Sequence, residues 1–176
     1  MPLVIVFILA ISLSMDAFSL SLIYGTLNLD EMIEKRISII VGIFHFFMPL
    51  LGYKLGQIIL NFLKVDTNII IGIIFIVLSI EMILSLKEEE KIKILTSILS
   101  IIIFALTVSI DSLSVGISLG FTNSNIIIPS TIFSITSFLF TYLGLKLGKT
   151  LSKKYGHYAT LGGAIIILIL GINYLT

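Results

Sequence analysis

Ser14-Met15-Asp16-Ala17-Phe18-Ser19-Leu20-Ser21 recurs as Ser109-Ile110-Asp111-Ser112-Leu113-Ser114-Val115-Gly116, and the shared Ser-x-Asp-x-x-Ser frame carries the reading of the fold. The two copies are offset by 95 residues, an offset that Gly25 and Gly120 also keep. Further along, Leu51-Gly52-Tyr53-Lys54-Leu55-Gly56 matches Leu143-Gly144-Leu145-Lys146-Leu147-Gly148 at an offset of 92. Two motifs in one order point to two related halves.

Each motif is embedded in apolar sequence. Of 176 residues, 57% are hydrophobic and 12% charged, and the mean hydropathy is +1.19; such a chain is solvated mainly by lipid. A membrane-spanning helix needs about 20 apolar residues, and six stretches qualify, over 3–24, 37–59, 68–86, 94–120, 126–148 and 157–175. The expected architecture is therefore an all-α integral membrane protein with six transmembrane helices in one membrane domain. Repeat one covers about 1–86 and repeat two about 94–176. Three helices per half is an odd number, so the halves enter the membrane in opposite senses, as inverted repeats with a binding site expected near the midplane between them.

Composition excludes several functions. The net charge of +1 gives no basic face for a nucleic acid. The absence of cysteine removes thiolate metal ligation, disulfides and cysteine nucleophiles. The N-terminal apolar run lacks a basic region and a small-residue cleavage site and is interrupted by Asp16, so it reads as a retained first helix. Sorting cations by side places Lys35, Arg36, Lys87, Lys91, Lys93, Lys146, Lys149, Lys153 and Lys154 together, with Lys54 and Lys64 opposite. By the positive-inside rule both termini face away from the cytoplasm.

The candidate chemistry lies in three acidic residues inside the spans: Asp16 and Asp111 in helices one and four, and Glu81 in helix three. The other seven acidic residues, Glu34 among them, fall in the breaks between spans. A carboxylate in hydrocarbon has to be paired, coordinated or protonated. Ser12, Asp16 and Ser19 share one helix face; Thr107, Asp111, Ser114 and Ser118 share another. Together these stripes offer the oxygen donors that hard divalent cations favour. The plainer reading makes the two aspartates interhelical hydrogen-bonding groups and the hydroxyls ordinary small residues at helix contacts. Pro49 is either a simple bend or the source of an exposed carbonyl ligand. The many glycines read as close-packing positions, and His157 as a solvated residue at a helix end.

At Ser14-Met15-Asp16-Ala17-Phe18, Pro49-Leu50-Leu51-Gly52, Ser109-Ile110-Asp111-Ser112 and Leu161-Gly162-Gly163 the chain resembles the MntP family of manganese efflux pumps, almost end to end. The sporulation membrane protein YtaF is similar and belongs to the same broad family. The resemblance implies a bacterial inner-membrane exporter of Mn²⁺ whose acidic residues correspond to Asp16 and Asp111, with manganese as substrate rather than cofactor. The sequence has no P-loop, which leaves an ion gradient or the membrane potential as the energy source. Asp16, Asp111, Glu81 or His45 would then exchange protons for metal. Where the family carries Glu four residues before the helix-two proline and Arg near residue 81, this chain has His45 and Glu81, which looks like an ion pair reversed. The alternative makes both residues additional metal ligands.

Two other classes compete. A non-transporting sporulation or assembly protein would share the fold. An intramembrane aspartyl protease would also need two aspartates on different helices, but no Gly-x-Gly-Asp precedes either one here. The orientation has a direct check. A reporter fused after Thr176 is expected to be active outside the cytoplasm and one inserted between Lys87 and Lys93 inside it; the reverse pattern overturns the assignment.

Overall fold

The computed structural model describes residues 2–27, 29–62, 66–85, 97–122, 125–150 and 153–175. They form six helices and no strand: α1 (Leu3–Gly25), α2 (Glu31–Phe62), α3 (Thr67–Ser85), α4 (Ile98–Phe121), α5 (Ile127–Gly148) and α6 (Lys153–Leu175). The first five are long and apolar enough to cross a membrane; the apolar part of α6, Thr160–Leu175, is shorter. Lys64, the segment from Lys87 to Lys93 and the side chains of Lys153, Lys154 and His157 lie outside what is described, and so do the readings made for them.

Helix α2 begins at Glu31, six residues before the apolar stretch that signals it. Glu31 and Glu34 in its first turn complement the positive helix end, and Glu31 pairs with Lys35 one turn on, at 2.8 Å. The expected break between the first two spans is thus partly helix. Helix α4 starts at Ile98 rather than 94 because Ser97 and Ser100 form a reciprocal capping box that satisfies two orphaned amides. Pro49 sits inside α2; having no N–H, it leaves the carbonyl of His45 without its usual helical donor.

Large apolar side chains cover the outside. Ile39, Ile43, Phe47 and Leu51 run in four-residue steps along α2, all about half exposed, a continuous stripe that a protein facing water would bury. The interior divides into two clusters, one including Leu9, Phe75, Leu78, Leu119 and Ile167 and one including Ile37, Val41, Ala105, Val108 and Leu145.

The most extensive contacts pair α2 with α4 and α1 with α5. Both pairs run parallel, and glycines set their spacing. A Cβ on Gly144 would lie 2.7 Å from the Phe18 carbonyl oxygen; on Gly148 it would strike the Leu22 carbonyl, and on Gly25 the Leu145 carbonyl. In the other pair Gly52 meets the Leu113 carbonyl, Gly56 the Ile117 carbonyl and Gly120 the Tyr53 carbonyl. Shifting α1 by 95 and α2 by 92 residues converts one set into the other, contact by contact. The antiparallel α3–α6 seam behaves likewise: Gly171 packs on the Gly72 carbonyl, and the equivalent positions are Ser79 and Ala164, where Ser79 Oγ donates to the Ala164 carbonyl at 2.9 Å. One pair departs from this equivalence. Helix α6 lies closely along α1, with Gly163 against the Ser12 carbonyl and Met15, whereas α3 touches α4 over a much shorter seam.

Because these glycines face backbone atoms, which cannot turn aside, added volume has to push helices apart. Gly52→Leu and Gly144→Leu should each lower stability by about 1–3 kcal/mol or more in thermal unfolding of detergent-solubilised protein. Gly162→Ala, where a Cβ would meet nothing within 4 Å, should stay within about 0.5 kcal/mol of the parent. Equal effects at all three positions would remove the close-approach account.

Candidate functional site

The chemistry-bearing residues sit on α1, α3 and α4, with Asp16 and Asp111 well inside their helices and Glu81 four residues before the end of α3. Asp16 is half-buried on α1, and it follows Met15, which meets Gly163 of α6. Ser12, one turn before it, is fully buried, and its hydroxyl has no hydrogen-bond partner among the described residues. Ser19, one turn after it, is buried at 6% exposure. The first stripe therefore faces the interior as its spacing predicts.

The second stripe is divided. Asp111 and Ser114 are half-buried, and Ser118 is buried with its hydroxyl donating to the Ser114 carbonyl at 3.3 Å. Thr107, expected to continue this stripe inward, is exposed and donates to the Ile103 carbonyl at 2.9 Å. That bond satisfies its hydroxyl on its own helix, the usual solution for Ser and Thr facing an apolar medium. The short α3–α4 seam leaves this part of α4 uncovered.

Asp111 lies within electrostatic range of Glu81, an exposed residue on α3. The reading from sequence set Glu81 against His45 instead. The structure does not bring those two together as an ion pair; among the described residues the ion pairs are Lys35 with Glu31 and Lys149 with Glu34. His45 is 1% exposed and its Nδ1 lies 3.0 Å from the Val41 carbonyl oxygen. A carbonyl can only accept, so Nδ1 carries the proton in this contact. Hydropathy and depth put His45 and Glu81 at similar levels, but they do not say which helices are neighbours.

Sequence reasoning missed several polar groups. Thr160 on α6 is buried, and its hydroxyl, like those of Ser21 and Thr141, has no hydrogen-bond partner among the described residues. Thr160 precedes Gly163 by one turn on the helix that packs on α1, so the α1–α6 seam carries two buried oxygen donors, Ser12 and Thr160. Ser14 and Ser137 join α1 to α5 through a 3.1 Å hydroxyl contact. The shift of 92 takes His45 to Ser137, a sign in the sequence that both are interior polar positions. Glu34, counted among the loop acids, is 2% exposed and lies 2.8 Å from Lys149.

Among the described residues no three His, Asp or Glu side chains cluster as a metal centre. Coordination of a hard cation, which takes six or more oxygens, would draw on carboxylates, hydroxyls and backbone carbonyls together. Two carboxylates in mutual range, as Asp111 and Glu81 are, repel in a low-dielectric medium. A cation or a proton between them removes that repulsion. A double-mutant cycle on metal tolerance tests the arrangement: Asp111→Asn with Glu81→Gln should be non-additive, and His45→Ala with Glu81→Gln additive. Strong coupling in the second cycle would restore the His45–Glu81 pair.

A family model described as "Putative manganese efflux pump" matches residues 30–175. A protein of Bacillus pumilus named "Putative manganese efflux pump MntP" is 38% identical over 169 residues, covering 96% of this chain and 92% of the relative. Proteins of the same name from Halalkalibacterium halodurans and Methanosphaera stadtmanae are each 32% identical, the first over 98% of this chain and 96% of its own length, the second over 97% of both. No solved structure matches the chain.

Proposed function

Since the chain belongs to the family described as "Putative manganese efflux pump", we propose that it is a secondary transporter that carries divalent cations, Mn²⁺ first among them, out of the cytoplasm. The observation that carries the proposal is that two carboxylates of neighbouring helices, Asp111 on α4 and Glu81 on α3, lie within electrostatic range of each other in a bundle whose outside is apolar. Such a pair is stable in lipid with a cation or protons between the carboxylates, and it loses that stability when both are bare. A protein built to exchange the two has a reason to keep it.

Asp16 and Asp111 supply the charges that neutralise a divalent ion in this reading. Ser12, Ser19, Ser114 and the newly identified Thr160 supply neutral oxygens, and Thr107 stands outside this set in the conformation seen here. The oxygen-only donor set favours Mn²⁺, Mg²⁺ and Ca²⁺ over softer ions, and the family favours manganese within that group. Inverted repeats with a midplane site are supported by the glycine contacts that interconvert under the shifts of 95 and 92 residues and by the parallel α1–α5 and α2–α4 pairs. Protons entering as metal leaves provide the driving force, with Asp111 and Glu81 as the exchanging groups. The protein works in the inner membrane with both termini outside.

Whole-cell metal content under excess manganese tests the proposal. Expression should lower cell manganese, and Asp16→Asn or Asp111→Asn should abolish the effect while membrane insertion persists. Ser19→Ala and Ser114→Ala should weaken it much less, because water replaces one neutral ligand. Full export by either aspartate variant would refute the site. In inside-out vesicles, manganese uptake without an accompanying proton flux would remove the coupling.

A further inference from the structure

Lys54 and Lys146 hold equivalent places in the two Leu-Gly-x-Lys-Leu-Gly segments, but their surroundings differ. The Lys146 ammonium lies over the Tyr142 ring, 5.6 Å from its centroid, a favourable cation–π position. The shift of 92 residues takes Tyr142 to Leu50, so Lys54 has no such ring one turn before it. Lys54 is exposed, and the ion pairs among the described residues are made by Lys35 and Lys149 rather than by Lys54.

Lys54 stands at one end of an outer-surface groove of about 410 Å³ between α2 and the start of α5. Phe47, Leu50, Leu51 and Ile126 make its apolar walls, and Tyr53, Lys54 and Gln57 its polar end. Phe47 and Leu51 belong to the half-exposed stripe of α2, so the groove opens directly onto lipid. Lys54 lies five residues, or about 8 Å, before the end of the apolar stretch at residue 59, a depth from which a lysine reaches the headgroups by laying its stem along apolar surface. Phe47 lies seven residues further in, about 10 Å deeper along the helix. The polar end holds donors and no carboxylate. The Tyr53 hydroxyl accepts a hydrogen bond from the Gln57 amide at 3.1 Å, which leaves its own proton to donate beside the Lys54 ammonium.

We propose that this groove binds one anionic phospholipid, with an acyl chain along Phe47, Leu50 and Leu51 and the headgroup phosphate on Lys54 and Tyr53. The lipid comes from the leaflet away from Lys35 and Arg36, since those residues open α2 and Lys54 lies near its other end. A zwitterionic headgroup brings its own cation to its phosphate, whereas an anionic one supplies the charge that the groove lacks. The inference is independent of the transport reading, because no residue of the groove belongs to the proposed metal set.

The chain contains no tryptophan, so a single one reports without background. Phe47→Trp places it in the groove, and Ile169→Trp, at an α6 position 54% exposed, places it on the apolar outside elsewhere. In phosphatidylcholine vesicles carrying a rising fraction of brominated phosphatidylglycerol, with brominated phosphatidylcholine as the reference, quenching at Phe47→Trp should show phosphatidylglycerol favoured by about fivefold, the gain of one basic residue at an anionic lipid. At Ile169→Trp the two lipids should quench alike. Adding Lys54→Ala to Phe47→Trp should abolish the preference, Lys54→Arg should keep it, and Lys146→Ala should leave it unchanged. Equal preference at the two reporters, or a preference that survives Lys54→Ala, refutes the site. A Phe47→Trp reporter that neither brominated lipid quenches would mean that protein, such as a second copy of the chain, covers the groove, and refutes it as well.

Discussion

Hydrocarbon offers no partner to a hydrogen-bonding group, and every other feature of this molecule follows from that constraint. The backbone has to satisfy itself within each segment, and hence the described residues form helices. Side-chain hydroxyls are bound by the same rule. Ser14, Ser109, Thr107 and Thr131 return their protons to carbonyls four residues back on their own helices. A carboxylate inside a span cannot return a proton to its own helix in this way and needs a partner from another helix, an ion or a proton.

Helices also lack a hydrophobic reason to associate in lipid and must gain from close packing. The glycines of the α1–α5 and α2–α4 pairs supply it by letting one backbone lie on another. That these contacts interconvert under two constant shifts means both halves solve one packing problem in one way. The α3–α6 seam follows the same rule with Ser79 and Ala164 in place of Gly171 and Gly72. Close backbone contact makes such seams stiff. The α3–α4 seam is much shorter than these.

Glu81 and Asp111 stand on the two sides of the α3–α4 gap, and Lys149 and Glu34 at one end of α2–α5. Manganese transport as proposed draws on the first of these pairs.

The all-helical architecture and the approximate limits of the six helices were legible in the sequence, because transfer of a residue into lipid depends on that residue and its near neighbours. The repeat was legible because equal shifts survive in Gly25 and Gly120 and in the two Leu-Gly-x-Lys-Leu-Gly segments. Helical periodicity groups Thr107 with Asp111 but is silent on which face a neighbour covers, and the short α3–α4 seam left Thr107 outside. Glu34 looked like a loop acid since its burial depends on Lys149, distant in sequence. Glu81 lies within electrostatic range of Asp111 and forms no ion pair with His45, because depth in the membrane is a property of the chain, whereas lateral adjacency is a property of the packed bundle. The sequence by itself determined which groups need partners, and only the tertiary structure decided who the partners are, since pairing among six helices is fixed by which surfaces fit closely enough to touch.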